Sequence, residues 1–151
     1  MKNDSQYPGR ILAIDYGSKR VGLAISDPMQ IVSQGIGIVD KSSALIEKIL
    51  AIIGREQVAA ILVGMPFSEN GTKGPKAIEV DEFIQRLSRQ VTIPLETWDE
   101  SLTSVEARRV HLMAGMKKKK RREKGRVDVM AARLLLQDYL DNRSPLRVSS
   151  E

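Results

Sequence analysis

The run Ala59 to Val63, AAILV, carries no polar side chain and lies between two segments of helical periodicity. No other feature constrains the fold as tightly. Before the run, Leu45, Ile46, Ile49, Leu50 and Ile53 recur at helical spacing; after it, Ala77, Val80, Phe83, Ile84 and Leu87 do the same. So short an apolar run is a strand rather than a helix, and a strand apolar on both faces must be covered on both. Strands linked through helices pair in parallel, so this part of the chain predicts a sheet sandwiched between helices.

The remaining segments extend that sheet. Ile11 to Ile14 reads as a strand running into Asp15, Tyr16 to Arg20 as a turn containing Gly17, and Val21 to Ser26 as the hairpin partner. Ile31 to Val39, with glycines at 35 and 37, suits a third strand, and Ser42 or Ser43 offers the next helix an N-cap. Gly64-Met65-Pro66 ends the fourth strand and a polar, glycine-rich loop follows from Ser68 to Pro75; Val91 to Trp98 makes a fifth strand that leaves into Asp99-Glu100. Thr103 and Glu106 form a capping-box pattern for a helix stopping near Gly115, and a last helix covers Val127 to Leu140. The expectation is an α/β fold: a five-stranded mixed sheet, three antiparallel strands and then two parallel ones, with helices on both faces. Residues 10–142 form one domain, 1–9 a polar lead and 143–151 a flexible tail.

Composition narrows the chemistry. With 151 residues there is room for one core, and with no cysteine there are no disulfides, thiolate metal sites or thiol nucleophiles. One histidine, His111, argues against an imidazole-built zinc site, and it reads as an ordinary helix residue rather than a general base. No apolar run reaches the roughly 18 residues of a membrane span. The start, MKNDSQYPGR, is polar, so the cytoplasm is the expected compartment. The net charge of +5 is concentrated: Lys117 to Arg126 holds eight basic residues and one acid, leaving 16 basic and 18 acidic residues elsewhere. Such a strip between two helices is either a solvated loop or a contact for a polyanion, with an acidic membrane surface a weaker third choice. Its position favours nucleic acid. Lys117, Lys118, Lys119, Lys120, Arg121 and Arg122, together with Lys19 and Arg20 of the first turn, are the candidate contacts.

Acidic residues stand where strands end and helices begin. Asp15 closes the first strand, Asp99 and Glu100 close the fifth, and Asp128 falls in the first turn of the last helix as the pattern marks it. At 100° per residue, Asp128 shares the inward face with Ala131, Ala132, Leu135 and Tyr139. A helix dipole explains an acid near an N-terminus but not that face. A turn aspartate explains Asp15, and an exposed strand end explains Asp99-Glu100, each taken alone. Gathered together, carboxylates repel and raise one another's pKa, and a hard cation such as Mg²⁺ or Mn²⁺ removes that cost. Two such ions about 4 Å apart can activate a water and steady the leaving oxygen in phosphodiester cleavage.

Four segments, IDYGSKRVGLAISD (14–27), LVGMPFSENGTKG (62–74), DESLTSVEA (99–107) and VDVMAARLLLQDYL (127–140), resemble in order and spacing the motifs of one bacterial family. The chain resembles the YqgF family of Holliday-junction-resolvase-like proteins, also described as pre-16S ribosomal RNA nucleases, over roughly residues 10 to 142. The resemblance implies a ribonuclease H-like fold and a metal-dependent nuclease site. Asp15 would be its first-strand aspartate, Glu100 the glutamate of its D-E motif and Asp128 the aspartate of its last helix, all three as catalytic residues and metal ligands. Asp99 would substitute for Glu100 or orient it. Two departures are plain: Ser101 stands where the family has arginine, and Ala131 where true junction resolvases carry a fourth acid.

Three functions fit these residues. The leading one is an Mg²⁺- or Mn²⁺-dependent hydrolase of structured RNA, which the resemblance points toward precursor ribosomal RNA and hence the ribosome or its precursors as partners. A DNA enzyme acting on branched junctions is the alternative, and a non-catalytic RNA-binding assembly factor that kept the fold is a third. The D-x-G-x-x-x-x-G run from Asp15 to Gly22 is similar to the phosphate loop of actin-like ATPases, but those enzymes close two such domains around ATP and this chain supplies one.

Overall fold

The apolar segments at the start of the chain form a hairpin: β1 (Arg10–Tyr16) and β2 (Arg20–Ser26) are antiparallel, joined by a turn in which the Gly17 N–H donates to the Arg20 carbonyl at 3.0 Å. The structure is a computed structural model and describes residues 8–66, 74–100 and 124–149. Within these, β3 (Ser33–Asp40) and α1 (Leu45–Glu56) follow, then β4 (Val58–Met65), α2 (Pro75–Ser88), β5 (Leu95–Asp99) and α3 (Lys124–Ser149). The sheet order is β3-β2-β1-β4-β5, with β3 and β2 antiparallel to their neighbours and β4 and β5 parallel to β1. The expected mixed sheet is therefore present.

Alternation along the strands sorts side chains to two cores. Leu12, Ile14 and Tyr16 of β1 face α1 and α2, where they meet Leu45, Ile49, Val80, Phe83 and Leu87. Tyr16 stacks on Phe83 with ring centroids 4.5 Å apart. The other parity, Ile11 and Ala13 with Ala24, Ala60 and Leu62, faces Ala132, Leu135, Leu136, Tyr139 and Leu140 of α3. Small residues dominate the strand side of this second core, so α3 lies close against the sheet.

The boundaries differ from the sequence pattern where side chains compete for backbone groups. β3 begins at Ser33 rather than Ile31, because the Asp27 carboxylate accepts the N–H groups of Met29, Ile31 and Val32 at 3.2, 2.7 and 2.8 Å. Ile31 and Val32, β-formers by type, thus have their donors engaged in a turn. These bonds outweigh the partial burial that opposes them and hold the Asp27 carboxyl below its ordinary pKa. β5 begins at Leu95 rather than Val91, since the ladder opens with the Ile61 N–H on the carbonyl of Pro94, which has no N–H to return. Neither Ser42 nor Ser43 is the N-cap of α1; Ala44 takes that place, and the Ser42 hydroxyl accepts the Ala44 N–H at 3.2 Å. α3 starts at Lys124 and continues to Ser149, beyond Leu140 where the apolar spacing ends. Asp128 consequently lies past the first turn, which contains no acid, and the helix dipole does not account for it. The capping-box helix at Thr103 and Glu106, His111, Ser101 and the basic residues Lys117 to Arg122 lie outside the described residues, as does most of the loop after Pro66.

Candidate active site

Asp15 is placed where the antiparallel and parallel halves of the sheet meet, near the carboxyl end of β1, the kind of position at which open α/β sheets bind ligands. Its parity with Ile11 and Ala13 turns it toward α3, and it is 2% exposed. Directly opposite, across the hairpin, is Gly22. A Cβ at Gly22 would stand 2.0 Å from the Asp128 carbonyl oxygen, and one at Gly35 would stand 2.4 Å from the Val129 Cγ1. Two glycines on adjacent strands thus form the slot that receives α3 at residues 128 and 129, with Asp128 brought alongside the Asp15 strand.

The Asp128 carboxylate reaches over the first turn. Its Oδ1 lies 3.6 Å from where a Cβ of Gly17 would be, and its Oδ2 lies 3.5 Å from Arg20 Nη1. Glu100 arrives from the other side. It follows β5, is 4% exposed, and lays its carboxylate over Gly64, where a Cβ would come within 2.5 Å of Oε1. Glycine at 64 is what leaves room for that carboxylate. Behind it, α3 is tied to β5: the Tyr139 hydroxyl donates to Glu96 Oε2 at 3.2 Å, and its ring meets Trp98 edge-on at 5.2 Å. Burial, reinforced by the negative Glu96, pushes the Tyr139 pKa up, so the phenol stays a donor.

The structure thus places Asp15, Glu100 and Asp128 on the α3 side of the sheet, at the end shared by β1, β4 and β5. As the side chains stand, no three acids or histidines among the described residues close into a cation-holding group. The donor chemistry nevertheless fits a hard divalent cation. All the candidate ligands are carboxylates, two of them are nearly fully buried, and the Gly64 surface accommodates the third element's contribution without a competing side chain. Asp99 is placed differently. It pairs in register with Met65, whose side chain belongs to the core on the other face, so strand alternation separates it from Glu100.

Of the basic candidates, Lys19 is exposed in the first turn, and Arg20 is engaged with Asp128. Sequence reasoning did not single out Lys41. Its ammonium lies 3.9 Å above the Tyr16 ring and donates to the Ser18 carbonyl at 3.2 Å and to Glu79 Oε1 at 2.7 Å, linking the first turn to α2. Nothing in the local pattern signals it. Glycines inside strands, by contrast, are a readable sign of close backbone approach, and Gly22, Gly35 and Gly64 carry it.

A family model, RuvX, described as Holliday junction resolvase, matches residues 9–142. A protein of Ruminiclostridium cellulolyticum named "Putative pre-16S rRNA nuclease" is 43% identical over 135 residues, covering 87% of this chain and 94% of its own. One of the same name from a Roseiflexus species is 39% identical over 142 residues, covering 92% and 99%. Among solved structures, T. thermophilus RuvC in complex with Holliday junction substrate superposes with a TM-score of 0.57 at 13% identity, covering 90% of this chain and 96% of that one. The Fowlpox virus resolvase bound to Holliday junction DNA gives 0.52 at 14% identity, covering 88% and 97%. At such identities these structures establish the shared fold, the ribonuclease H-like one implied by the motifs.

Proposed function

The chain belongs to the RuvX family, and from that membership we propose that it is a metal-dependent nuclease that hydrolyses phosphodiester bonds in structured RNA, with precursor 16S ribosomal RNA as its substrate. The observation that carries this reading is the burial of Asp15 and Glu100 on the face that also receives Asp128, at one end of the sheet. Asp15 and Asp128 would hold Mg²⁺ or Mn²⁺, and Glu100 completes the set. When bound, the cation lowers the pKa of a water nucleophile and offsets charge on the scissile phosphate. Glu100, seated over Gly64, accepts a hydrogen bond from the attacking water and aims it at phosphorus. Lys19 and the basic run from Lys117 to Arg122 hold the polyanionic backbone, which goes with the ribosome or its precursors as partner and with a cytoplasmic site of action. No described helix is long and apolar enough to cross a membrane.

A second reading, cleavage of branched DNA, is favoured by the family's description and by the fold shared with junction-bound resolvases. One experiment separates the two. Wild type and Asp15→Asn are given Mn²⁺ with a ribosomal precursor RNA and a four-way DNA junction at identical salt. RNA cleavage lost in the variant supports the proposal, and junction cleavage alone replaces it with the second reading. If neither substrate is cut while both proteins bind RNA equally, the protein is a binding factor and the nuclease proposal is wrong.

A further inference from the structure

Arg20 opens β2 with the same parity as Gly22 and Ala24, so its side chain rises on the α3 face beside the candidate site. Its backbone is fixed, because its carbonyl accepts the Gly17 N–H that closes the turn. Its guanidinium is held less firmly. Nη1 meets Asp128 Oδ2 at 3.5 Å, with 24% of the arginine side chain and 20% of the aspartate side chain exposed. The pair is partly buried, but 3.5 Å is well beyond the roughly 2.7–2.9 Å of a strong charge-assisted hydrogen bond, so the hold is weak.

That contact and the proposed cation compete for one carboxylate. A guanidinium and a divalent cation would repel each other at such range, and the divalent charge, which Asp15 and Glu100 on the same face would also help to hold, would have the stronger claim on Asp128. Displaced, the guanidinium remains tethered at the edge of the site, and its planar fork of donors matches a phosphate better than any other side chain does. We propose that Arg20 exchanges partners: it holds Asp128 before metal binds and, once a divalent cation takes that carboxylate, it turns to a backbone phosphate of the nucleic acid. The inference rests on the metal and nucleic-acid reading given above. Its consequence is that cation and nucleic acid bind cooperatively, so the protein grips its substrate fully when it is loaded to cut it. Lys19, exposed in the same turn, contributes equally with and without the cation.

The test is fluorescence anisotropy with a labelled RNA hairpin, in EDTA and in Ca²⁺, which takes the same oxygen ligands as Mg²⁺. In Ca²⁺, Arg20→Gln weakens binding about fivefold, the lower end of coupling between two sites, and in EDTA it leaves affinity within about twofold of wild type. In an Asp128→Asn background the arginine has lost its charged partner without any metal, so Arg20→Gln costs about fivefold even in EDTA. Lys19→Gln weakens binding by the same factor in both conditions. An equal loss for Arg20→Gln with and without Ca²⁺ makes it an ordinary phosphate contact and overturns the exchange; no loss in any condition makes it a structural ion pair and does the same. The Asp128→Asn arm keeps two failures apart. If it shows the loss while wild-type affinity ignores Ca²⁺, the metal reading fails and the holding of Arg20 by Asp128 stands. If Ca²⁺ raises the melting temperature of wild type but this arm shows no loss, the exchange fails and the metal reading stands.

Discussion

Replacing Gly22 by alanine tests whether α3 is seated on the sheet where the structure places it. The new Cβ would lie 2.0 Å from the Asp128 carbonyl oxygen, 2.5 Å from its carbon and 3.2 Å from the Val129 nitrogen, whereas ordinary contact begins near 3.4 Å. The shortfall to the oxygen is the difference between 3.4 and 2.0, or 1.4 Å, and the obstacle is helix backbone, which no rotamer change can move aside. α3 must lift, and lifting it loosens Ala132, Leu135 and Leu136, all fully buried on its sheet-facing side. Overpacking of this kind costs about 3 kcal/mol, the upper part of the usual range. For a chain of this length that lowers the melting temperature by roughly 6–12 °C, at about 2–4 °C per kcal/mol. Gly54→Ala is the internal control. Gly54 lies in α1 with nothing within 4 Å of a Cβ, so alanine adds about 1 kcal/mol of helix propensity and raises the melting temperature by about 2–4 °C. Gly35→Ala clashes with a Val129 methyl group rather than with helix backbone and falls between the two. Melting curves followed by far-ultraviolet circular dichroism give all three values. If Gly22→Ala melts within a degree of wild type while Gly54→Ala shifts upward as expected, the seat of α3 on β2 is wrong, and the placement of Asp128 beside Asp15 goes with it.

Other consequences are equally open to measurement. Millimolar Mn²⁺ should raise the wild-type melting temperature and leave that of Asp15→Asn nearly unchanged, because the ion binds the folded acids and not the unfolded chain; equal shifts in both proteins would count against the site. Asp27→Asn should destabilise by about 1 kcal/mol at neutral pH through loss of a charged acceptor for three backbone donors. Since the folded pKa of Asp27 is lowered, its contribution is full above the ordinary value of 3.8 and disappears as pH falls through the folded value, so the two melting curves should converge in acid. Phe83→Ala removes a fully buried ring stacked on Tyr16 and should cost about 3–5 kcal/mol in denaturant titrations. Replacing Lys117 to Arg122 by serine should weaken RNA binding and flatten its dependence on salt; an unchanged salt slope would show the strip to be solvated surface.

How far the residues alone carry the description depends on the range of the forces involved. β4 was legible because a wholly apolar pentapeptide has no exposed way to fold, and α2 because its apolar stripe is written at fixed spacing behind Pro75, a residue suited to a first helical position. The five-stranded mixed sheet followed from strand order and connection type. Asp15, Glu100 and Asp128 were legible as candidates because acids at strand ends and on an inward helix face stand out against their neighbours. Less was legible where one residue's partner lies far along the chain. Ile31 and Val32 are strand-formers by local preference, yet Asp27 holds their N–H groups, and β3 starts later than the pattern indicates. Asp99 and Glu100 are adjacent in sequence and equivalent in charge; only the register of β5 on β4 sends Asp99 toward one core while Glu100 lies over Gly64 on the other face. Arg20 reads locally as a free basic residue, yet a carboxylate 108 positions away lies against it. Local pattern thus determined the elements and the chemistry they carry, because burial and propensity act over a few residues. Tertiary structure alone decided which carboxylates share a face and which cation answers Asp128, because those depend on where Gly22, Gly35 and Gly64 let distant backbones and side chains approach.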